Sequence, residues 1–337
     1  MSQRRAVVHA PNWVGDTIMA LPVLDALAAS GRRVDVVAPR HILPLLELSE
    51  SVSATFEGDD DHTTLEAMRQ GDYDEAVLLP NSFRSAWLAR KAGIPRRWGY
   101  KGGFRRLLLN PAVPRSPANP HQVEDYAELL AAMQVAPPVD WVPRLPLGDA
   151  LRQRGLELLA RARIDPGAGP VVGLFPGAEF GATKQWPRER FEDVARQLRH
   201  RHREVQLTIL AGPKETWLAV RLHEETGKIH PVIGPDLDLA DLAAVLVHHR
   251  ALLTNDSGPM HLAAALGVRC AALFGPTDPA RTAPRGESHR VLYSSRWCSP
   301  CFRRRCPLGH HRCMKDLAVA DAVGALGQWL PAAGSAD

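Results

Sequence analysis

The chain contains no apolar stretch approaching the ~18 residues that a bilayer-crossing helix needs. Residues 6–10, which follow Arg4 and Arg5, are too short for a signal-peptide core. A cytoplasmic protein is expected, with any membrane contact peripheral. Acid is missing where base is richest: residues 76–123 hold no Asp or Glu, but include Arg84, Arg90, Lys91, Arg96, Arg97, Lys101, Arg105, Arg106 and Arg115. In a chain of net charge only +4, such a run attracts phosphates, acidic sugars, nucleic acid or an anionic membrane face; a solvated basic surface is the plain alternative. There is no solenoid-type repeat, no low-complexity segment, no Walker loop and no dinucleotide-binding fingerprint. No Asp-x-Asp pair is placed to hold a divalent ion against a diphosphate, and Asp59-Asp60-Asp61 reads as solvated surface in a short acidic loop, so no catalytic metal is expected.

What is present suits two globular domains: 337 residues, 45% apolar and 23% charged. The first half reads as strand 5–10, loop 11–16, helix 17–29, strands 33–38 and 75–80, and a closing helix 121–135. Four prolines in residues 136–146 cannot continue a helix and mark a linker. The second half alternates strand 171–175, helix 188–200, strand 205–211, a helix, short strand 231–233, helix 239–249, strand 251–254, a short helix and strand 270–274. That alternation predicts a parallel, doubly wound sheet. The expected division is 1–136, linker 137–147, 148–317, and a last helix with tail, 318–337.

Two strand-end loops in the second half suit a phosphate. In Thr254-Asn255-Asp256-Ser257-Gly258-Pro259, Ser257 is a good N-cap, Pro259 fits the first turn and Gly267 closes the helix. The helix start offers N–H groups and a positive dipole end, although an ordinary capped helix reads the same way. In Pro176-Gly177-Ala178-Glu179-Phe180-Gly181-Ala182-Thr183-Lys184-Gln185-Trp186-Pro187, a glycine-rich turn carries Lys184 as a point charge, or as a plain surface lysine. Together they suggest a nucleotide site at a sheet crevice. Asp16, in the loop after the first strand, reads as a helix N-cap or as a base. Glu215 is either a first-turn glutamate favoured by the dipole or a ligand-binding acid, and His261 either meets phosphates or packs.

Four segments in order then resemble the ADP-heptose–lipopolysaccharide heptosyltransferases: Pro11-Asn12-Trp13-Val14-Gly15-Asp16; Pro80-Asn81-Ser82-Phe83-Arg84-Ser85 followed by Arg97-Trp98-Gly99-Tyr100; Pro176 to Gly181 with Lys184-Gln185-Trp186-Pro187; and Thr254 to Gly258. The resemblance runs from near residue 5 to about residue 325. It implies an α/β fold of GT-B type, two doubly wound (Rossmann-like) parallel-sheet domains facing across a cleft, with the acceptor on the first and ADP-sugar on the second. The last helix is expected to pack back toward the first domain. The implied reaction is inverting transfer of L-glycero-D-manno-heptose from ADP-heptose to the first heptose of the lipopolysaccharide inner core; transfer to Kdo-lipid A, or sugar epimerisation on a similar fold, are the alternatives. Carried over residue by residue, Asp16 is the base and Lys184 stabilises the leaving diphosphate. Thr183, Glu179, Glu215, Asp256, Ser257, Gly258 and His261 bind the donor, with Asp256 at the sugar hydroxyls and Glu215 at the ribose. Asn81, Ser82, Arg84, Arg97 and Lys101 bind the phosphorylated lipid A–Kdo–heptose acceptor at the cytoplasmic face of the inner membrane. No cofactor is required and no nucleic-acid partner is expected.

Four of the five cysteines fall in Cys298-x2-Cys301-x4-Cys306-x6-Cys313, with His310 and His311 inside the last interval. A structural zinc on Cys298, Cys301, Cys306 and Cys313 is one reading; reduced thiols in a compact loop, or redox-sensitive pairs, are others. Family members occur without the cluster, so catalysis is not expected to depend on it. Arg303, Arg304 and Arg305 add a further reading, a zinc-ribbon-like contact to nucleic acid or phosphate-bearing lipid.

Overall fold

A computed structural model of the chain describes residues 3–115 and 121–331. It divides into two units, Met1–Pro146 and Leu147–Asp337. In the first, strands β1 (Arg5–His9), β2 (Arg33–Ala38), β3 (Ala54–Glu57), β4 (Glu75–Leu78), β5 (Arg96–Tyr100) and β6 (Ala112–Val113) form one sheet in the order β3-β2-β1-β4-β5-β6, every pairing parallel. In the second, β7 (Val171–Phe175), β8 (Gln206–Leu210), β9 (Val232–Ile233), β10 (Ala251–Asn255), β11 (Arg269–Phe274) and β12 (Arg290–Tyr293) repeat the pattern as β12-β11-β10-β7-β8-β9, again all parallel. Strand order therefore reverses between β1 and β4 in one unit and between β7 and β10 in the other. In doubly wound sheets such a switch point splays the following loops and opens a crevice at the strand C-termini.

The sequence dictates this because its central strands are built mainly of apolar residues. Val171 to Phe175 and Ala251 to Asn255 are buried at every position, as a parallel sheet covered by helices on both faces requires. Helices supply that cover: Phe191, Val194 and Leu198 of helix Arg188–Arg201 pack with Leu207 and Leu253 in the second core. The helix Val319–Gly327 buries Val319, Ala322, Val323 and Leu326 in the same core, so its apolar face is spent within the second unit. The tail beyond residue 331 lies outside the described residues.

Several elements depart from the sequence pattern. The first helix runs Val14–Ala29, three residues longer than its apolar periodicity indicates, with Trp13 at the N-cap position. Asp16 is thus in the first turn and is not the cap. Residues 121–135 hold a 3-10 turn, Gln122–Tyr126, before a short helix, Ala127–Ala132. The acidic run is not simply solvated: Asp60 caps helix Asp61–Gln70 in a reciprocal bond with Thr63, and Asp61 pairs with Arg84. The helix Asp149–Arg161 and strands β3, β5, β6 and β12 carry no clear pattern in sequence; β5 opens on two arginines and contains Gly99.

Candidate active-site groups

In the first unit, Asp16 sits just beyond β1, where the helix dipole favours a carboxylate. It is half-buried and accepts a hydrogen bond from Gln122 Nε2 at 2.7 Å. Its charge, with burial as the larger cause, pushes the Tyr126 phenol up from its ordinary range. Gln122 and Tyr126 share the 3-10 turn in which the acid-free stretch ends, and neither stands out in the sequence.

The loop after β4, on the other side of the switch point, carries the residues expected to meet an acceptor. Asn81 is exposed and accepts from Arg105 Nη1 at 2.9 Å. Ser82 is the N-cap of helix Phe83–Lys91 and accepts from Ser85 N at 3.1 Å, so its hydroxyl serves the helix. Arg84 is exposed and paired with Asp61, and the Lys101 side chain is exposed. Arg97 turns inward instead: Nε donates to Leu108 O at 2.7 Å and Nη1 to the carbonyls of Ile94 and Pro95. Its guanidinium holds the backbone around β5.

Sequence reasoning passed over the two most unusual groups here. Arg105 is 3% exposed, with no carboxylate partner among the described residues; it donates to Asn81 and to Pro80 O at 3.2 Å, and its Nε is unpaired there. Burial lowers its pKa. His9, at the end of β1, is 6% exposed with Nδ1 unpaired. Burial first, then the charges of Arg84 and Arg105, lower it to about 4, so it is neutral at pH 7. A buried cation without an anion beside a neutral histidine is an environment that favours an incoming negative group.

In the second unit the two phosphate-suited loops do converge. Asn255 is fully buried at the end of β10; its Nδ2 donates to Pro176 O at 2.8 Å and Gly177 O at 3.1 Å, and its Oδ1 accepts from Trp186 N at 3.0 Å. This side chain fastens both ends of the loop after β7 to the loop after β10. Next to it, Asp256 is 4% exposed, and its Oδ2 accepts from Lys184 Nζ at 2.5 Å and from Thr277 Oγ1 at 2.6 Å. Lys184 also stands 4.8 Å over the Phe180 ring. Thr183 is buried and points away, donating to Arg303 O at 2.7 Å.

Ser257 occupies the N-cap position of helix Gly258–Ala265, yet its side chain makes no capping bond and lies 3.3 Å from Thr254 Oγ1. His261 is buried one turn into that helix. Glu215 follows β8 and approaches Gly177 and Gly212 so closely that a Cβ on either would meet its side chain at 2.6 or 2.9 Å. Burial, then the neighbouring charge of Glu179, raises its pKa. Glu179 itself is exposed and paired with Lys214. The second unit therefore gathers Lys184, Asp256, Ser257 and the Gly177–Glu215 contact around its switch point, with Glu179 at the margin and Thr183 facing the cysteine loop.

Comparison with known proteins places the chain in a family. The model for glycosyltransferase family 9 (heptosyltransferase) matches residues 62–312. Lipopolysaccharide heptosyltransferase 2 of Salmonella typhimurium is 32% identical over 310 residues, covering 86% of this chain and 87% of its own, and the Escherichia coli protein of that name matches equally. Among solved structures, E. coli ADP-heptose lps heptosyltransferase II superposes with a TM-score of 0.83 at 27% identity, covering 96% of this chain and 98% of its own. A family 9 glycosyl transferase of Veillonella parvula reaches the same TM-score at 20% identity, covering 97% of each chain, and shows the shared fold. The molecule is thus an α/β glycosyltransferase with the paired doubly wound sheets of the GT-B type. The chain belongs to glycosyltransferase family 9, the heptosyltransferases.

Proposed function

We propose that this enzyme transfers L-glycero-D-manno-heptose from ADP-heptose to the first heptose of the lipopolysaccharide inner core. The observation that carries the reading is the Lys184–Asp256 pair at the switch point of the second sheet, in a chain whose relatives named heptosyltransferase 2 match over most of its length. The donor lies on the second unit. Lys184 offers its ammonium to the β-phosphate as charge builds on the departing ADP, and the uncapped start of helix Gly258–Ala265 adds a dipole of the right sign. Asp256 keeps Oδ2 on Lys184 and Thr277, leaving Oδ1 for a donor hydroxyl. Glu215 takes the ribose hydroxyls.

The acceptor lies on the first unit, with Asp16 as the base that removes its hydroxyl proton. The carboxylate attracts the proton as the oxygen attacks the anomeric carbon, the C–O bond to ADP breaks on the far face, and configuration inverts. Asn81, Arg84, Lys101 and buried Arg105 supply donors for carboxylates and phosphates of the lipid saccharide. Peripheral contact with an anionic membrane fits the turn Gly103–Leu107, where Phe104 is 81% and Leu107 67% exposed beside exposed Lys101 and Arg106. Among the described residues no helix is long and apolar enough to span a membrane.

A panel of ADP-, UDP- and GDP-sugars tests the donor assignment by thermal shift, because only a ligand of the native state raises stability. ADP-heptose should stabilise the protein and the UDP- and GDP-sugars should not; stabilisation by UDP-sugars alone would overturn it.

A further inference from the structure

The cysteine loop is the feature that sugar transfer leaves unused. Cys298, Cys301, Cys306 and Cys313 are all free thiols, and together with His310, His311, Thr183 and Pro276 they line one cavity of about 20 Å³, room for a single ion or water. Two tight turns present the sulfurs. In Cys298-Ser299-Pro300-Cys301 the chain reverses so that the amides of Cys301 and Phe302 both donate to Pro276 O, at 3.0 and 2.8 Å, and Phe302 is held at φ +53°. In Cys306-Pro307-Leu308-Gly309 the Gly309 amide closes on Cys306 O at 3.2 Å with φ +68°. A phenylalanine in the left-handed region costs about 1 kcal/mol or more, so the surroundings impose that turn. Among the described residues no three Cys, His, Asp or Glu side chains are drawn together as a ligand set; the sulfurs surround the cavity without meeting at its centre.

His310 separates the candidate donors. Its Nδ1 accepts from Arg312 N at 3.0 Å, so the neutral ring carries its proton on Nε2, which lies 3.9 Å from Cys298 Sγ. That nitrogen is therefore a donor to sulfur, the arrangement by which an outer group supports a ligating thiolate. We propose that this loop binds one thiophilic divalent cation of the zinc or iron(II) class through the sulfurs of Cys298, Cys301, Cys306 and Cys313, with His310 as the outer donor to Cys298. The four thiols lose their protons on binding, and the divalent cation offsets two of the four negative charges that result.

The bound cation also braces the loop that carries Lys184. Thr183 Oγ1 donates to Arg303 O inside the cysteine loop, Arg304 stacks 5.3 Å over the face of Phe180, the ring Lys184 also meets, and Pro276 O, which the Cys301 turn grips, precedes Thr277 and its bond to Asp256. Gly181, at φ +141°, admits no side chain without approaching Arg304 O at 3.1 Å. This part of the inference rests on the donor site proposed above.

The test uses the full chain, purified reduced and without chelator, with metal content measured by mass spectrometry and the stripped protein titrated with Co²⁺. One metal per chain is expected, and cobalt should give the intense sulfur-to-metal charge transfer and tetrahedral d–d bands of a four-sulfur site. A Cys301→Ser/Cys306→Ser double variant should lose those bands. His310→Ala should keep them while metal affinity falls about 10- to 100-fold. A wild-type cobalt spectrum no stronger than that of the double variant would overturn the site. A His310→Ala spectrum lacking a nitrogen ligand that the wild type had would overturn the four-sulfur set. Removing the metal from wild type should weaken ADP about fivefold or more; equal ADP affinity with and without metal would overturn the brace. If neither form bound ADP while cobalt still gave its bands, the donor assignment would fail and the metal site would stand.

Discussion

Lys184 and Asp256 stand 72 positions apart in sequence, yet Lys184 Nζ lies 2.5 Å from Asp256 Oδ2. The pair ties the loop after β7 to the loop after β10 at the point where strand order reverses. Each partner justifies the other: a carboxylate 4% exposed requires a cation, and the lysine requires a fixed direction to meet a phosphate.

Removing one partner therefore mixes two effects, which a double variant separates. Lys184→Met should lower stability by roughly 3 kcal/mol, because Asp256 is left buried and unpaired. Adding Asp256→Asn should recover most of that stability. Turnover should stay down by about 100-fold or more in both proteins, since the leaving-group cation is gone. Chemical denaturation alongside initial rates checks this. Turnover that returns with the stability would make the lysine structural.

Asp16→Asn separates base from framework in the first unit. The cap position belongs to Trp13, so the amide costs little helix stability and still accepts from Gln122 Nε2. Turnover should fall by roughly 100-fold or more, the scale of a positioned general base, with melting temperature and ADP affinity held. A folded variant with parental turnover would leave the base unidentified.

Two arginines of the basic stretch should part company. Arg97→Ala orphans the Leu108, Ile94 and Pro95 carbonyls, so stability should drop by roughly 1–3 kcal/mol, with acceptor KM little changed among molecules that remain folded. Arg105→Met removes a buried cation that has no carboxylate partner among the described residues, so stability should hold or rise while acceptor KM increases and ADP binding is spared. The opposite pattern would return Arg97 to the acceptor site and make Arg105 part of the framework.

Much of this was legible in the sequence. The central strands announce themselves by apolar runs, and the loops after β1, β4, β7 and β10 carry the quoted motifs, so the loops could be found in the sequence, while the strand order that makes them switch points comes from the fold. Strands β3, β5, β6 and β12 could not be found that way. β12, at the edge of its sheet, and β5, next to the edge of the other, both open on arginine, and no continuous apolar run marks either. Side-chain direction was equally hidden: Thr183 adjoins Lys184 in sequence but turns to Arg303, and Arg97 lies in a basic run yet serves three carbonyls. Arg105 looks like one more surface arginine until its burial is seen. Asn255 and Thr277 gain their roles only from long-range contacts that no local pattern encodes.

Buried histidines set the acid limit of the fold. His9, His230 and His249 are each lowered from about 6.5 to about 4, burial being the first cause in all three. His249 is fully committed as a neutral ring: Nδ1 donates to Val245 O at 3.0 Å and Nε2 accepts from Thr208 Oγ1 at 2.8 Å. Because the folded pKa lies below the unfolded one, the unfolded chain binds more protons in this window. Stability is thus full above pH 6.5 and falls as pH drops toward 4, by on the order of 3 kcal/mol for a fully buried histidine. Urea unfolding at pH 7, 6 and 5 should show midpoints falling in step, and a His249→Asn variant should show a shallower decline. A flat profile would contradict the burial argument.

Direct transfer is the central test. Purified protein, ADP-heptose and an inner-core acceptor bearing one heptose should yield stoichiometric ADP and an acceptor whose mass has grown by one heptose, with the new linkage inverted at the anomeric carbon. The Asp16→Asn protein in the same assay should yield neither above background. ADP-heptose consumed with free heptose released and no gain in acceptor mass, or transfer to Kdo-lipid A in preference to the heptose-bearing acceptor, would contradict the assigned reaction.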